Sequence, residues 1–283
     1  MMWRIGRCHL ATELGSGRAL LLQIAHPWVT QAVDHHSRTR HDPIGRARRT
    51  FTSVLSMTFG SVDLAIAAAM RVHAVHNRIA GTLEYSAGGF IQGEEYRANE
   101  AHALLWVHAT LWDSAVRMYE LVVEPLSPAD KERFYVETKR FAALFGIPGA
   151  LLPAKWADFV AYNEYMWQSD QLAVTPAALE LTRFLFKPLV PGLGPLMNSM
   201  KLVTSATLPP RLREAFKLPY DETTPERFER VVRRMRYLHR VLPDRLRYSP
   251  TYFEALARLA GRRSDVLTRV ATRVTLGRWH LVS

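Results

Sequence analysis

The chain has 283 residues, 48% hydrophobic and 22% charged, an ordinary globular composition that excludes a disordered chain. Its 37 basic and 26 acidic side chains leave a net charge of +11, which raises nucleic acid or an anionic surface as partners. The single cysteine, Cys8, excludes an intrachain disulfide, a four-cysteine zinc site, the usual iron–sulfur cluster and covalent c-type haem, and it points to a reducing, cytoplasmic location.

In chain order the pattern is helical almost throughout. No apolar run reaches the eighteen or so residues of a membrane span. Arg4, Arg7, Glu13 and Arg18 are scattered through the first 22 residues, so no leader peptide is expected. Helices are expected at 15–36, kinked or divided by Pro27, then at 43–59, 61–80 and 97–123. Gly60 and Ser61 separate the second from the third. Residues 81–95, with Gly88, Gly89 and Gly93, form a loop with room for a short hairpin. Ser127-Pro128, Thr175-Pro176, Thr224-Pro225 and Ser249-Pro250 read as helix starts, the hydroxyl capping and proline entering the first turn. Gly146 and Gly261 read as helix stops. From Lys187 to Pro210, seven prolines and glycines interrupt apolar residues, which suggests an irregular connection, a substrate entrance or a membrane contact. One all-α domain over residues 1–283 is the expectation.

The helical wheel places several histidines on apolar stripes. Between Ser61 and Ala80, His73 and His76 share a stripe with Val62, Ala65, Ile66, Ala69, Val72 and Ile79. His108 falls with Leu104, Leu111, Ala115 and Met118, and His26 with Leu22, Val29 and Val33. Taken singly, each reads as a hydrogen-bonded core residue. Together in one helical core, they raise the reading of a metal or haem pocket, because an apolar surround favours the neutral, ligating imidazole.

A complementary stripe follows Pro43. Arg46, Arg49, Thr50 and Ser53 lie on one helical face, opposite Phe51, Val54 and Leu55. Such a face is commonly just solvated. Its functional reading is a cationic wall for carboxylates, such as haem propionates, or for bound dioxygen. No Glu-x-x-His pair, H-E-x-x-H helix, Walker loop, G-x-S-x-G elbow or G-x-G-x-x-G turn occurs.

These residues stand among longer matches. Leu20-Leu21-Leu22-Gln23-Ile24-Ala25-His26-Pro27 carries Q-x-A-H-P; His36-Ser37, Asp42-Pro43, Arg46-Ala47-Arg48-Arg49-Thr50 and Phe59-Gly60 follow. Arg71-Val72-His73-Ala74-Val75-His76-Asn77-Arg78-Ile79-Ala80-Gly81 matches a helix that ends in H-x-x-V-x-G. Tyr96-Arg97-Ala98-Asn99, Leu105-Trp106-Val107-His108-Ala109-Thr110-Leu111, Gly146-Ile147-Pro148 and Leu208-Pro209-Pro210-Arg211-Leu212-Arg213-Glu214 complete the series. In this order they resemble the domain of unknown function 2236 family, which includes MpaB-type oxygenases and is related to the latex-clearing rubber oxygenases. The likeness runs from about His26 to Tyr220. It implies a family-like core over about 20–220, followed by a basic helical part over 221–283.

The resemblance implies a single all-α domain whose globin-like core holds haem b. It makes His76 the iron ligand and puts Arg46, Arg49 and Thr50 beside the cofactor in catalytic positions. His26 and His108 become cofactor-contacting candidates. Arg49 departs from the rubber oxygenases, which carry lysine there, because a guanidinium does not easily coordinate iron. The implied function is a haem-dependent oxygenase using dioxygen on an apolar, unsaturated substrate, terpenoid or lipid-like. The alternatives are a non-catalytic haem carrier or sensor, and a haem-free helical interaction protein.

The charge is concentrated at the end. Residues 211–283 hold 16 arginines and one lysine against eight acids. Without a nucleic-acid motif, nucleic acid is not an expected partner. A solvated face is the commoner meaning, and weak contact with an anionic membrane, peripheral to a cytoplasmic protein, is the functional one.

Overall fold

The second helix meets its neighbours through glycine and carries a buried arginine, and the rest of the core is arranged around it. The structure, a computed structural model, describes residues 1–37, 42–187, 192 and 194–281. In chain order the helices are α1 (Met2–Gly6), α2 (His9–Ile24), α3 (Pro27–His36), α4 (Pro43–Phe59) and α5 (Val62–His76). A two-stranded antiparallel ribbon, β1 (Ala80–Thr82) and β2 (Glu95–Arg97), pairs Gly81 with Tyr96. Then come α6 (Ala101–Val122), α7 (Pro128–Leu144), a 3-10 turn at Gly149–Leu151, α8 (Trp156–Gln168), α9 (Pro176–Leu185) and α10 (Gly194–Thr207). The chain continues through α11 (Pro210–Ala215), α12 (Thr224–Val241), α13 (Asp244–Arg247), α14 (Pro250–Leu259) and α15 (Val266–Leu276). Among the described residues the fold is all-α apart from that small ribbon.

The local signals act as their chemistry requires. Pro27 divides the first expected helix outright, leaving α2 and α3, and α3 begins at the proline. Ser127 and Thr175 accept the backbone N–H groups of Asp130 and Ala178. Gly146 (φ +84°) and Gly261 (φ +65°) adopt the left-handed conformation just past α7 and α14. One start moves by a residue: Thr224 is the first residue of α12 rather than its cap, and its buried hydroxyl is held by Asp221. The connection expected at 187–210 is a regular helix from Gly194 to Thr207. Glycine and proline lie at its start, where a helix tolerates them. Residues 188–191 and 193 lie outside the described residues.

Helix α2 packs mainly on α6 and α10. A Cβ at Gly15 would lie 3.3 Å from Met118 Cγ, and one at Gly17 would lie 2.7 Å from Thr204 Oγ1. The two glycines therefore set how close α6 and α10 can come. Trp106 Nε1 donates to Leu22 O at 2.9 Å, which fixes the register further along. Between these points sits Arg18, fully buried. Its guanidinium lies 2.6 Å from Asp113 and donates to Ser114 Oγ and to the Thr207 carbonyl. Burial pushes its pKa down while Asp113 opposes that shift. The charge is held because α6 and α10 both supply acceptors.

Breaking one side of a buried pair strands the other charge, at a cost of about 3–5 kcal/mol. Arg18→Met should lose about that much stability in chemical denaturation. Arg18→Met combined with Asp113→Leu should recover a substantial part of it. A loss in the double variant equal to the sum of the losses in Arg18→Met and Asp113→Leu alone would show that the pair is not coupled.

Candidate functional site

Helices α4 and α5 form a hairpin. Asp42 caps α4 by accepting from Gly45 N at 2.9 Å, and Ser61 caps α5 by accepting from Leu64 N. The turn at Gly60 and Ser61 joins helices that pack on each other. At about 1.5 Å per residue, Arg46 and His76 each lie roughly 22 Å along their own helices from that turn.

The polar face of α4 changes character along its length. Arg46 is half-buried and donates from Nε to Ser37 Oγ at 3.0 Å. Arg49 is exposed and pairs with Asp42 at 3.0 Å, and Thr50 is exposed beside it. One turn past Ser53, the same face reaches Ser56, which is fully buried with an unpartnered hydroxyl. The face is thus open at its cationic end and closed at its inner end. Burial, with Arg49 nearby, pushes the Arg46 pKa down. Among the described residues no carboxylate pairs with Arg46, so a bound anion would relieve both effects.

His76 is the last residue of α5 and half-buried, its ring 6.0 Å from that of Phe145. Burial pushes its pKa down; a hydrogen bond with the Asn99 side chain opposes this, and His73 adds to it. The neutral imidazole is the form that results. His73 is exposed, contrary to the apolar-stripe expectation, as are Val62 (75%) and Ile66 (45%). The reason is position: α5 lies at the edge, packed on α4 and α7, and only Ala65 and Ala68 are buried. A shallow groove of about 310 Å³ runs along this edge, lined by Ala69, Met70, His73, Ala74, Asn77 and Leu144.

The other two histidines are core residues. His26 stands at the N-cap position of α3, between the rings of Trp28 and Phe90. Its Nδ1 has no partner, and burial pushes its pKa down to about 4. His108 lies between Trp112 and Phe141. Its Nε2 is 3.1 Å from the Thr138 carbonyl, so that nitrogen carries the proton and Nδ1 is bare. Burial pushes it to about 4 as well.

Contacts relate these groups without merging them. Phe141 touches Phe145, which touches His76, so His108 and His76 stand at the two ends of one aromatic row. On the opposite flank, His36 meets the Tyr96 hydroxyl at 3.2 Å, next to Ser37, the partner of Arg46. Tyr96 in turn packs with Phe90 and Trp28 around the ribbon. Among the described residues, no hydrogen bond or ring contact joins His26 or His108 directly to His76. Ser56, Asn99 and Phe145 were not singled out from the sequence as site residues. Extending the 46–49–53 spacing by one turn would have found Ser56.

Residues 3–241 match the family described as ER-bound oxygenase mpaB/B′/rubber oxygenase, catalytic domain. The chain belongs to that family. Two relatives are the uncharacterized protein Mb2261 of Mycobacterium bovis and the uncharacterized protein Rv2237 of Mycobacterium tuberculosis. Each is 26% identical over 238 residues, covering 80% of this chain and 88% of the relative. No solved structure matches the chain. The family match begins well before the Q-x-A-H-P segment and takes in all of α12. Among the described residues, no helix is long and apolar enough to cross a membrane.

The buried histidines predict a pH dependence. Unfolded, each titrates near 6.5; folded, near 4. The unfolded chain therefore binds the extra protons first as pH falls, and stability is lost between about 6.5 and 4. The loss is on the order of 3 kcal/mol for each ring by the lower limit. Scanning calorimetry should show a falling Tm over that window, and His108→Gln should flatten it. Assigned ring resonances of His26 and His108 should keep neutral shifts at pH 5.

Proposed function

We propose that this chain is a b-type haem-dependent oxygenase acting on an apolar, unsaturated substrate of terpenoid or lipid-like character. What supports the reading is the state of two side chains, His76 and Arg46, on the neighbouring helices α5 and α4. One is a half-buried imidazole kept neutral, and the other a half-buried guanidinium with no carboxylate partner among the described residues.

The residues fit the group. A neutral imidazole suits iron, and a desolvated arginine suits a propionate. Among the described residues, no three His, Cys, Asp or Glu side chains form a group that could hold a bare metal ion. Haem asks less of the chain, because the porphyrin supplies four of the ligands. His76 would hold the iron, with Asn99 orienting its ring. Bound there, haem would supply the redox chemistry by which dioxygen is activated.

The chain's own contribution is charge and access. Arg49 is exposed, and its bond to Asp42 is a surface pair, which costs little to exchange for a bound anion. Arg46, held by Ser37, gives a fixed positive field instead. Thr50 adds a hydroxyl donor beside them. The exposed Val62, Ile66 and Met70 on α5 offer apolar surface to a hydrocarbon chain. His26 and His108, bare at Nδ1, would serve as uncharged polar groups behind this surface rather than as acids near neutral pH.

Haem titration followed by absorption spectroscopy tests this reading. Wild-type protein should bind one equivalent, and His76→Ala should weaken binding at least tenfold. His73→Ala, His26→Ala and His108→Ala should retain it if folded. Full retention by His76→Ala, with loss in His73→Ala, would transfer the ligand to the grooved edge.

Arg46→Leu and Arg49→Leu should each weaken haem binding several-fold or change the spectrum of the oxygen-exposed ferrous protein. Unchanged spectra and affinities in both would leave this face merely solvated. Haem binding without oxygen consumption on any apolar alkene would favour a carrier or sensor.

A further inference from the structure

The last helix is amphipathic in the wrong sense for a protein surface. On α15, the residues turned inward are Thr268 and Thr272, both buried, with Leu276. The Thr272 hydroxyl donates to the Thr268 carbonyl one turn back, and Thr275 does the same to Ala271. The inner face is thus satisfied with little apolar burial. The outer face is Val266, Leu267, Val270 and Val274, exposed by 61%, 70%, 45% and 68%. At 100° per residue these four span one continuous arc. Leu259, the last residue of α14, is exposed as well.

The charges around the patch have one sign. Residues 242–283 contain eight arginines and three acids. The acids are committed: Asp244 and Asp265 pair with Arg247 and Arg245, and buried Glu254 accepts from Leu281 N. Arg262 and Arg263, exposed in the turn between α14 and α15, have no acidic partner among the described residues. Arg273 borders the apolar arc, near Trp279, which is exposed.

We propose that α15 and the α14–α15 turn form a docking face for an anionic lipid surface. The valine and leucine arc enters the headgroup boundary, and Arg262 and Arg263 meet lipid phosphates. This combination of an apolar face and flanking arginines is what interfacial helices present. A second copy of the chain fits less well. A two-fold pairing would bring like-charged arginines together, and four side chains fall short of the roughly 800 Å² per partner of a stable interface. The face lies beyond residues 3–241 and does not depend on which cofactor the α4–α5 end holds.

Vesicle co-sedimentation tests it. Full-length protein should sediment with vesicles of phosphatidylcholine and phosphatidylglycerol at low salt, and binding should fall steeply at high salt. It should sediment far less with phosphatidylcholine alone. Leu267→Gln/Val270→Gln/Val274→Gln and, separately, Arg262→Gln/Arg263→Gln should each weaken binding about tenfold, with unchanged helicity by circular dichroism. An environment-sensitive dye on Val270→Cys should shift to the blue on anionic vesicles. Equal sedimentation with neutral and anionic vesicles, or an unshifted dye, overturns the proposal. So does a concentration-dependent dimer abolished by the triple glutamine variant, which would assign the face to a second copy.

Discussion

The close approach of α2 to α6 and α10 is the constraint on which the remaining geometry hangs. Gly15 and Gly17 remove two Cβ atoms where the backbones cross, and Arg18 then fills the space between with a charge that needs acceptors from both partners. A buried ion pair of this kind adds little net stability, since desolvation consumes most of the attraction. What it imposes is selectivity. Any other packing of α2 would leave the guanidinium or Asp113 uncompensated. With α2 and α6 locked, His108 and Trp106 on α6 have fixed depths, and the end of α2 fixes where His26 begins α3.

The α4–α5 end obeys a different economy of contacts. Here the chain keeps polar groups partly out of water without giving them full partners. Among the described residues, Arg46 has one hydroxyl partner and His76 one amide. A core built for stability alone avoids such groups. Together with the exposed apolar residues of α5, such groups suit a ligand that is both apolar and anionic. Haem has that character, with a hydrocarbon ring system and two carboxylates.

Much of this was legible in the sequence, and the parts that were not have physical reasons. Capping residues and prolines act locally, so α4 appears from Pro43 to Phe59 as its pattern requires. Periodicity identified His26 and His108 as buried because α2, α3 and α6 are enclosed. It misplaced His73, Val62 and Ile66 because a helical wheel gives the direction of a stripe and not what lies opposite it. The helix at Gly194–Thr207 was hidden behind the helix-breaking residues that crowd its start. The relation of Asn99 and Phe145 to His76 depends on tertiary packing of the ribbon and α7, which no local spacing encodes. The motifs around them carried the family likeness without revealing their neighbours.

The C-terminal hairpin bears on α4 from outside. Phe59, fully buried at the end of α4, is enclosed by a small cluster that includes Ala255, Leu276 and Leu281, with Trp3, Phe51, Leu55 and Tyr252 around it. Arg258 donates to the Phe59 carbonyl and Arg48 to that of Val274, so each hairpin ties the other's backbone. The region shared with the family therefore ends in sequence before it ends in space. A chain cut after Val241 would keep every family motif yet lay bare an aromatic face along α1 and α4. In this protein the evolutionary boundary and the folding boundary are different places, and the helix bearing Arg46 and Arg49 is supported from beyond the first of them.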